Sequence, residues 1–325
     1  MTDFRVTPRQ RVFVTGATGE IGRRVVPELV RRGHRVTAVG RDEQRRAELI
    51  ALGADAVALD MFDAVAARRA LDGHDAVINL ATHMPPSTIR MMLPWEWREN
   101  DRIRREGSAI LVDAAVASGV VRFVQESFAP IYEDGGDGWI DEGWPVKPAS
   151  YNRTVLDAEH SAQRFIEAGR SGVVARFAWF YGADKLMRDM IGLVRRGWSP
   201  FPGRGDSFWP SISHQDAASA VCAALDAPAG TYNICDDEPV TRRVLADLLA
   251  ESIGSAKPRL MPSWLSHVGG SGIALMSRSL RMSNAAFKAA TGWAPRWRSV
   301  RQGFPEIARQ LGERDLTYER VGARA

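Results

Sequence analysis

The sequence predicts an α/β protein: a doubly wound parallel sheet with a smaller C-terminal lobe. Three observations predict it. An apolar strand, Arg11–Thr15, runs into glycines at 16, 19 and 22 and then into a helical run through Val25, Val26, Leu29 and Val30. Short apolar strands then alternate with helical stretches as far as Gly182, a rhythm that needs a parallel sheet covered on both faces. Beyond Gly182 that rhythm lapses.

The elements follow in order. A second strand, His34–Gly40, completes a β-α-β unit after Arg31-Arg32-Gly33. A helical stretch through Arg45, Ala47, Leu49 and Ile50 ends at Gly53, and a third strand spans Ala54–Asp60. The fourth is sought in Leu71–Ala81, and the fifth in Gly119–Ser127 after a helix through Ile110, Leu111 and Val112. A helix over about 149–169 leads to a sixth strand, Gly172–Phe177. Trp198–Pro210 is loop-rich and aromatic, and is expected to cover a site. A helix from Gln215-Asp216 and a strand Gly230–Ile234 return to the sheet, and residues 239–312 form helices between Pro and Gly breaks. The domain reading is therefore residues 1–182, with the sheet completed by 211–238, and a substrate lobe of 183–210 and 239–325.

With 325 residues, 45% of them hydrophobic, the chain can bury one large core with a companion. Two cysteines, Cys222 and Cys235, make neither a disulfide framework nor a metal cluster. The first residues lack an apolar leader core, and no run of 18 apolar residues occurs. The expectation is a cytoplasmic protein with no membrane partner. The 43 basic residues exceed the 39 acidic ones by only +4, and the arginines are dispersed, so nucleic acid is not expected as a partner. Only four basic residues are lysines: Lys147, Lys185, Lys257 and Lys288.

The glycine turn has a chemical meaning. Glycines allow a sharp turn, a close approach to a pyrophosphate and tight helix–strand packing, while helix-terminal N–H groups point at the anion. An acidic residue closing the second strand would accept the adenosine ribose hydroxyls. Gly40-Arg41 stands there instead, and Arg41 can pair with a 2′-phosphate. NADP(H) is therefore expected in preference to NAD(H), with a solvated Arg41 and a ribose-binding Asp42 as alternatives.

Several segments together resemble the extended short-chain dehydrogenase/reductase family, which contains nucleotide-sugar epimerases and dehydratases. They are Thr15–Gly22, Asn79–Thr82, Arg122–Tyr132, Tyr151–Glu159, Phe180–Gly182 and Gly230–Ile234, joined by Met282–Pro295 near the end. The resemblance implies a Rossmann domain holding NAD or NADP, with substrate under the smaller lobe. It implies cofactor contacts at Gly16, Thr18, Gly19, Glu20, Ile21, Gly22, Arg41, Asp60, Met61, Leu80, Ala81, Thr82, Tyr151, Phe177 and Ala178. For Asp60, capping of the next helix is the alternative. Pairing of two copies through helices beside the tyrosine is implied by the same likeness.

The family's chemistry uses a tyrosine, here Tyr151, which exchanges a proton with the substrate. A lysine four residues later lowers its pKa; here that position is Val155. The family's serine or threonine position is Phe128, so that either the neighbouring Ser127 substitutes after a one-residue backbone adjustment or the hydroxyl is missing, and the Asn that anchors a relay water is replaced by Arg104. Glu126 is either an acid/base or substrate group, or an arginine's partner. A tyrosine without its helper is about one part in a thousand ionised at pH 7, so Tyr151 serves as proton donor better than as base. The candidate catalytic set is thus Tyr151, Ser127 and Glu126. Candidate substrate contacts are His83, Phe128, Trp179, Lys185 and Trp209, with lobe packing open for the aromatics and a solvated helix face for Lys185. The expected activity is NADP(H)-dependent reduction of a small or polycyclic carbonyl compound. The alternatives are a nucleotide-sugar epimerase or dehydratase, and a non-catalytic NADP(H) sensor.

Overall fold

The structure is a computed structural model that describes residues 9–85, 90, 93–261 and 270–322. Seven parallel strands form one sheet: β1 (Arg11–Thr15), β2 (Arg35–Val39), β3 (Asp55–Val57), β4 (Ala76–Asn79), β5 (Arg122–Phe128), β6 (Ser171–Phe177) and β7 (Gly230–Ile234). Their spatial order is β7-β6-β5-β4-β1-β2-β3. The order reverses between β1 and β4, and a crevice opens at that point beyond the carboxyl ends of the strands. The register sets a polar row there, Thr15 opposite Asn79 and Asn79 opposite Gln125. Asn79 accepts from the Thr15 hydroxyl at 2.6 Å and donates to Gln125 at 2.9 Å and to Ser108 at 3.2 Å. This ladder satisfies side chains buried at the end of the sheet.

Alternation along β1 divides the core. Val12 and Val14 join α1 (Gly22–Arg31) on one face, while Phe13 joins α3 (Ala64–Leu71) and α5 (Ser108–Ala117) on the other. Between β2 and β3 lies α2 (Glu43–Ala51), and α4 (Arg98–Arg102) precedes α5. A single π turn, Ile103–Gly107, joins α4 to α5. A third cluster holds Met187, Ile191, Leu245, Leu249, Phe304 and Ile307, drawn from helices Lys185–Arg195, Arg242–Ser252 and Val300–Gly322.

β2, β3 and β4 are shorter than expected, and β5 is shifted to Arg122–Phe128 from the expected Gly119–Ser127. The helix expected over 149–169 is corrected: α6 spans Val155–Glu167, and Tyr151 lies in a separate 3₁₀ turn, Ser150–Asn152. Ala149 enters that turn in extended backbone, and the Thr154 hydroxyl donates to Asp101 at 2.7 Å instead of capping the helix. The loop-rich reading of Trp198–Pro210 is also refined, because Phe208–Trp209 pairs antiparallel with Val240–Thr241. The following helix begins one residue earlier than expected, at His214, with the Ser213 hydroxyl accepting from the Asp216 N–H. Among the described residues, no helix is long and apolar enough to cross a membrane.

Candidate active site

The glycine turn is built as its sequence demands. Gly16 has φ +64° and lies against the Leu80 backbone, where a Cβ would overlap the Leu80 carbonyl; a Cβ on Gly22 would overlap Gly16 and Ala17. These two glycines let β1 enter α1 while passing β4 closely. No side chain caps α1. Among the described residues, the N–H groups of Glu20, Ile21 and Gly22 have no acceptor, leaving donors at the positive end of the helix. A dinucleotide's pyrophosphate fits this cradle. Glu20 is tied to Arg23 and, at 3.1 Å, to Arg24, so its carboxylate is compensated there. Behind the turn stands buried His214, which lies 3.8 Å from Glu20 and 3.6 Å from Asp184. Burial, reinforced by Arg24, holds its imidazole down to about 4.

At the adenosine end, Asp42 is engaged as the N-cap of α2, accepting from the Arg45 N–H at 2.9 Å. Arg41 is exposed, and Arg46 reaches back to the Gly40 and Arg41 carbonyls at 3.3 and 3.4 Å. Arg46 is a basic residue that the sequence reading missed, although its position five residues after Arg41 was visible. Asp60 accepts from the Phe62 N–H at 3.0 Å, whereas the cap of α3 is Asp63; the capping alternative for Asp60 is thereby corrected. The Met61 side chain lies against Gly107, whose missing Cβ leaves it room. Leu80, Phe177 and Ala178 are buried at the strand ends, Ala81 is partly buried and Thr82 is exposed.

Tyr151 packs its ring on Trp97, with centroids 4.9 Å apart. Burial pushes its hydroxyl up to about 12, against the opposing pull of Arg278 and Arg104. Val155, where the lysine was sought, is wholly buried. Glu126 pairs with Arg104 at 3.2 Å, and Arg104 is only 4% exposed. Of the two expectations for Glu126, the arginine-partner geometry is the one present.

Ser127 alternates to the other side of β5. It is fully buried and donates to Glu159 at 2.5 Å, and Glu159 in turn takes two bonds from Arg176 at 2.8 and 2.7 Å. Arg176 also donates to the Tyr132 hydroxyl, which donates to Asn233 at 2.8 Å. The Ser127 hydroxyl is therefore committed to a network joining β5, α6, β6 and β7.

An aromatic wall runs on from β5 through Trp179 to Trp209 and Phe201. Phe128 meets Trp179 edge-on at 4.9 Å, Trp179 stacks on Trp209 at 5.0 Å, and Phe201 meets Trp209 at 5.4 Å. Phe128 and Trp179 retain partial exposure while Trp209 is buried. His83 is exposed and Lys185 pairs with Asp189 at 2.8 Å on an outer helix face, so neither is drawn to this wall. Two asparagines near the tyrosine escaped the sequence reading. Asn100 is buried and accepts from the His83 N–H at 3.0 Å, and Asn152 is 1% exposed with neither amide atom bonded among the described residues. Without a spacing motif, only their burial distinguishes them.

A family model described as NAD(P)H-binding matches residues 16–228. A 3-diazoavenalumate denitrifying reductase from a Streptomyces species is 29% identical over 314 residues, covering 90% of this chain and 99% of that protein. A 4-hydroxy-2-methyl-3-oxo-4-farnesyl-3,4-dihydroquinoline-1-oxide ketoreductase from Stigmatella aurantiaca is 27% identical, covering 75% of this chain and 73% of its own. Among solved structures, a dTDP-glucose 4,6-dehydratase of Streptomyces venezuelae, determined with NAD bound, superposes with TM-score 0.75 at 23% identity. That likeness covers 93% of this chain and 97% of the other, and it concerns the fold.

Proposed function

This chain belongs to the NAD(P)H-binding family, as an NAD(P)-dependent oxidoreductase of the short-chain dehydrogenase/reductase type, and we propose that it reduces the carbonyl of an aromatic or polycyclic small molecule. Its preferred cofactor is NADPH and its proton donor is Tyr151. The observation that carries the direction of reaction is the burial of Tyr151, which keeps its hydroxyl protonated, with a pKa of about 12. A protonated phenol donates and is a poor base at neutral pH.

The Glu20–Gly22 N–H groups would hold the pyrophosphate, with Leu80 and Ala81 along the crevice. Arg41 and Arg46 would take the 2′-phosphate, which a strand-end carboxylate would repel. When bound, the reduced nicotinamide supplies a hydride to the carbonyl carbon. Tyr151 gives its proton to the carbonyl oxygen, so that C=O becomes CH–OH, and the tyrosinate is reprotonated from solvent. Phe128 and Trp179 would stack the planar part of the substrate, with Trp209 behind them. The name of the quinoline-oxide ketoreductase, a carbonyl reductase of a bicyclic substrate, supports this choice.

The test is to incubate the protein with NADPH or NADH and a panel of aryl and polycyclic ketones, following cofactor absorbance and identifying products by mass. Faster oxidation of NADPH than of NADH, with alcohol formed, is expected. Tight NADPH binding without turnover of any carbonyl would instead indicate a sensor. Epimerisation or dehydration of a nucleotide sugar would refute the stated direction, because those reactions need Tyr151 as a base.

A further inference from the structure

Val155 leaves open which group moderates the acidity of Tyr151. A buried phenolate without a nearby cation is strongly disfavoured, yet a proton donor must pass through that state. Two arginines on different elements act electrostatically on the tyrosine against the effect of its burial.

Arg104 arrives on the π turn, a helical irregularity often found at functional sites. That segment is strapped to the segment bearing Tyr151 on both sides of the arginine. Thr154 donates to Asp101 at 2.7 Å, and Arg105 donates to Asp157 at 3.2 Å. Between these straps Arg104 is buried, its only charged partner among the described residues is Glu126, and its Nε has no hydrogen-bond acceptor there.

Arg278 follows the helix Gly270–Met276, which itself brings Gly272 against the Tyr151 ring. Its guanidinium donates to two neutral carbonyls, Tyr132 at 2.8 Å and Lys147 at 2.7 Å. The carboxylates of Asp134 and Glu133 act on it electrostatically and oppose the effect of burial. Among the described residues, the charges that act on Tyr151 are thus Arg104, paired with Glu126 of β5, and Arg278, which Asp134 and Glu133 act on in turn.

We propose that Arg104 and Arg278 are positioning residues that jointly supply the positive charge a lysine at position 155 would bring, and that Glu126 sets how much of Arg104's charge reaches Tyr151. This rests on the reading of Tyr151 as proton donor. The arrangement fits a one-directional enzyme. A partly neutralised cation stabilises the transient tyrosinate without ionising the resting phenol.

The signs make the proposal testable. Loss of either arginine raises the Tyr151 pKa, whereas loss of Glu126 frees Arg104's charge and lowers it. Full-length protein carrying ring-fluorinated tyrosine, which titrates at lower pH than tyrosine, is followed by fluorine NMR, with the Tyr151 signal assigned by Tyr151→Phe. Arg104→Gln and Arg278→Gln are each expected to raise that titration by about one pKa unit, a tenfold drop in ionised fraction, and Glu126→Gln to lower it by a similar amount. Arg104→Lys should restore the wild-type titration. The double variant Arg104→Gln/Glu126→Gln, which removes the pair without stranding a charge, should fall between the two single variants. Titrations that ignore the arginines, or that move the same way for Arg104→Gln and Glu126→Gln as a merely structural ion pair would, overturn the proposal. If the titrations move as stated in a protein that reduces no carbonyl, the charge assignment stands and the reductase reading falls.

Discussion

Ser127→Ala separates a structural hydroxyl from a catalytic one. The Ser127 hydroxyl gives a 2.5 Å hydrogen bond to Glu159, whose carboxylate also carries the two bonds from Arg176. Removing one bond to a charged acceptor costs about 1.5–3 kcal/mol. A 325-residue chain has a large unfolding entropy, so each kcal/mol corresponds to roughly 1.5 °C. A fall in Tm of about 2–5 °C is therefore expected, with carbonyl reduction retained. The assay pairs a thermal melt with cofactor absorbance under saturating NADPH. A loss of about 10²-fold or more in kcat with an unchanged melt would place Ser127 in proton transfer and refute the reasoning. Glu159→Ala is the stronger perturbation, since it strands the buried Arg176 guanidinium, and should cost about 3–5 kcal/mol.

Other consequences follow from the same geometry. Gly16→Val places a branched side chain at φ +64° against the Leu80 carbonyl, so NADPH binding measured by calorimetry should be lost; unchanged affinity would dissociate the turn from the cofactor. Arg41→Ala/Arg46→Ala should weaken NADPH by about tenfold or more while leaving NADH nearly untouched, as read by paired Kd measurements. His214 titrates at about 4 in the folded protein because burial disfavours its charged form, below the unfolded value of about 6.5. Its contribution to stability is thus complete above about pH 6.5 and is lost as the pH falls towards 4, by up to about 3 kcal/mol. His214→Gln should flatten that limb of a Tm-against-pH series.

The alternation of apolar runs with helices was legible in the sequence because the central strands of the sheet are buried on both faces, as Val12 and Phe13 of β1, Val77 and Ile78 of β4 and Phe123 and Val124 of β5 are. The glycine turn was equally legible: Gly22 is required by the Gly16 and Ala17 backbone within the turn itself, and Gly16 stands at φ +64°, although the Leu80 backbone that also excludes a Cβ there lies on a distant strand end. Tyr151 could be found by motif, but not its setting. Trp97, Arg104 and Arg278 reach it from segments far away in sequence, and no spacing rule connects them. Ser127 stands one residue from the family position, and one residue of a two-residue period turns a side chain to the opposite face of a strand; its partner, Glu159, lies on a helix 32 residues away. The helix expected from 149 begins instead at Val155, after a separate 3₁₀ turn whose surroundings, the Tyr151–Trp97 ring contact and the Thr154–Asp101 bond, are tertiary contacts that local propensity does not contain.

The most direct test of the central claim is single-turnover reduction of an accepted ketone by wild type and Tyr151→Phe, each saturated with NADPH and measured across pH. The account predicts that Tyr151→Phe binds NADPH as wild type does but transfers hydride about 10²–10⁴-fold more slowly. Equal hydride transfer by the two proteins would contradict it.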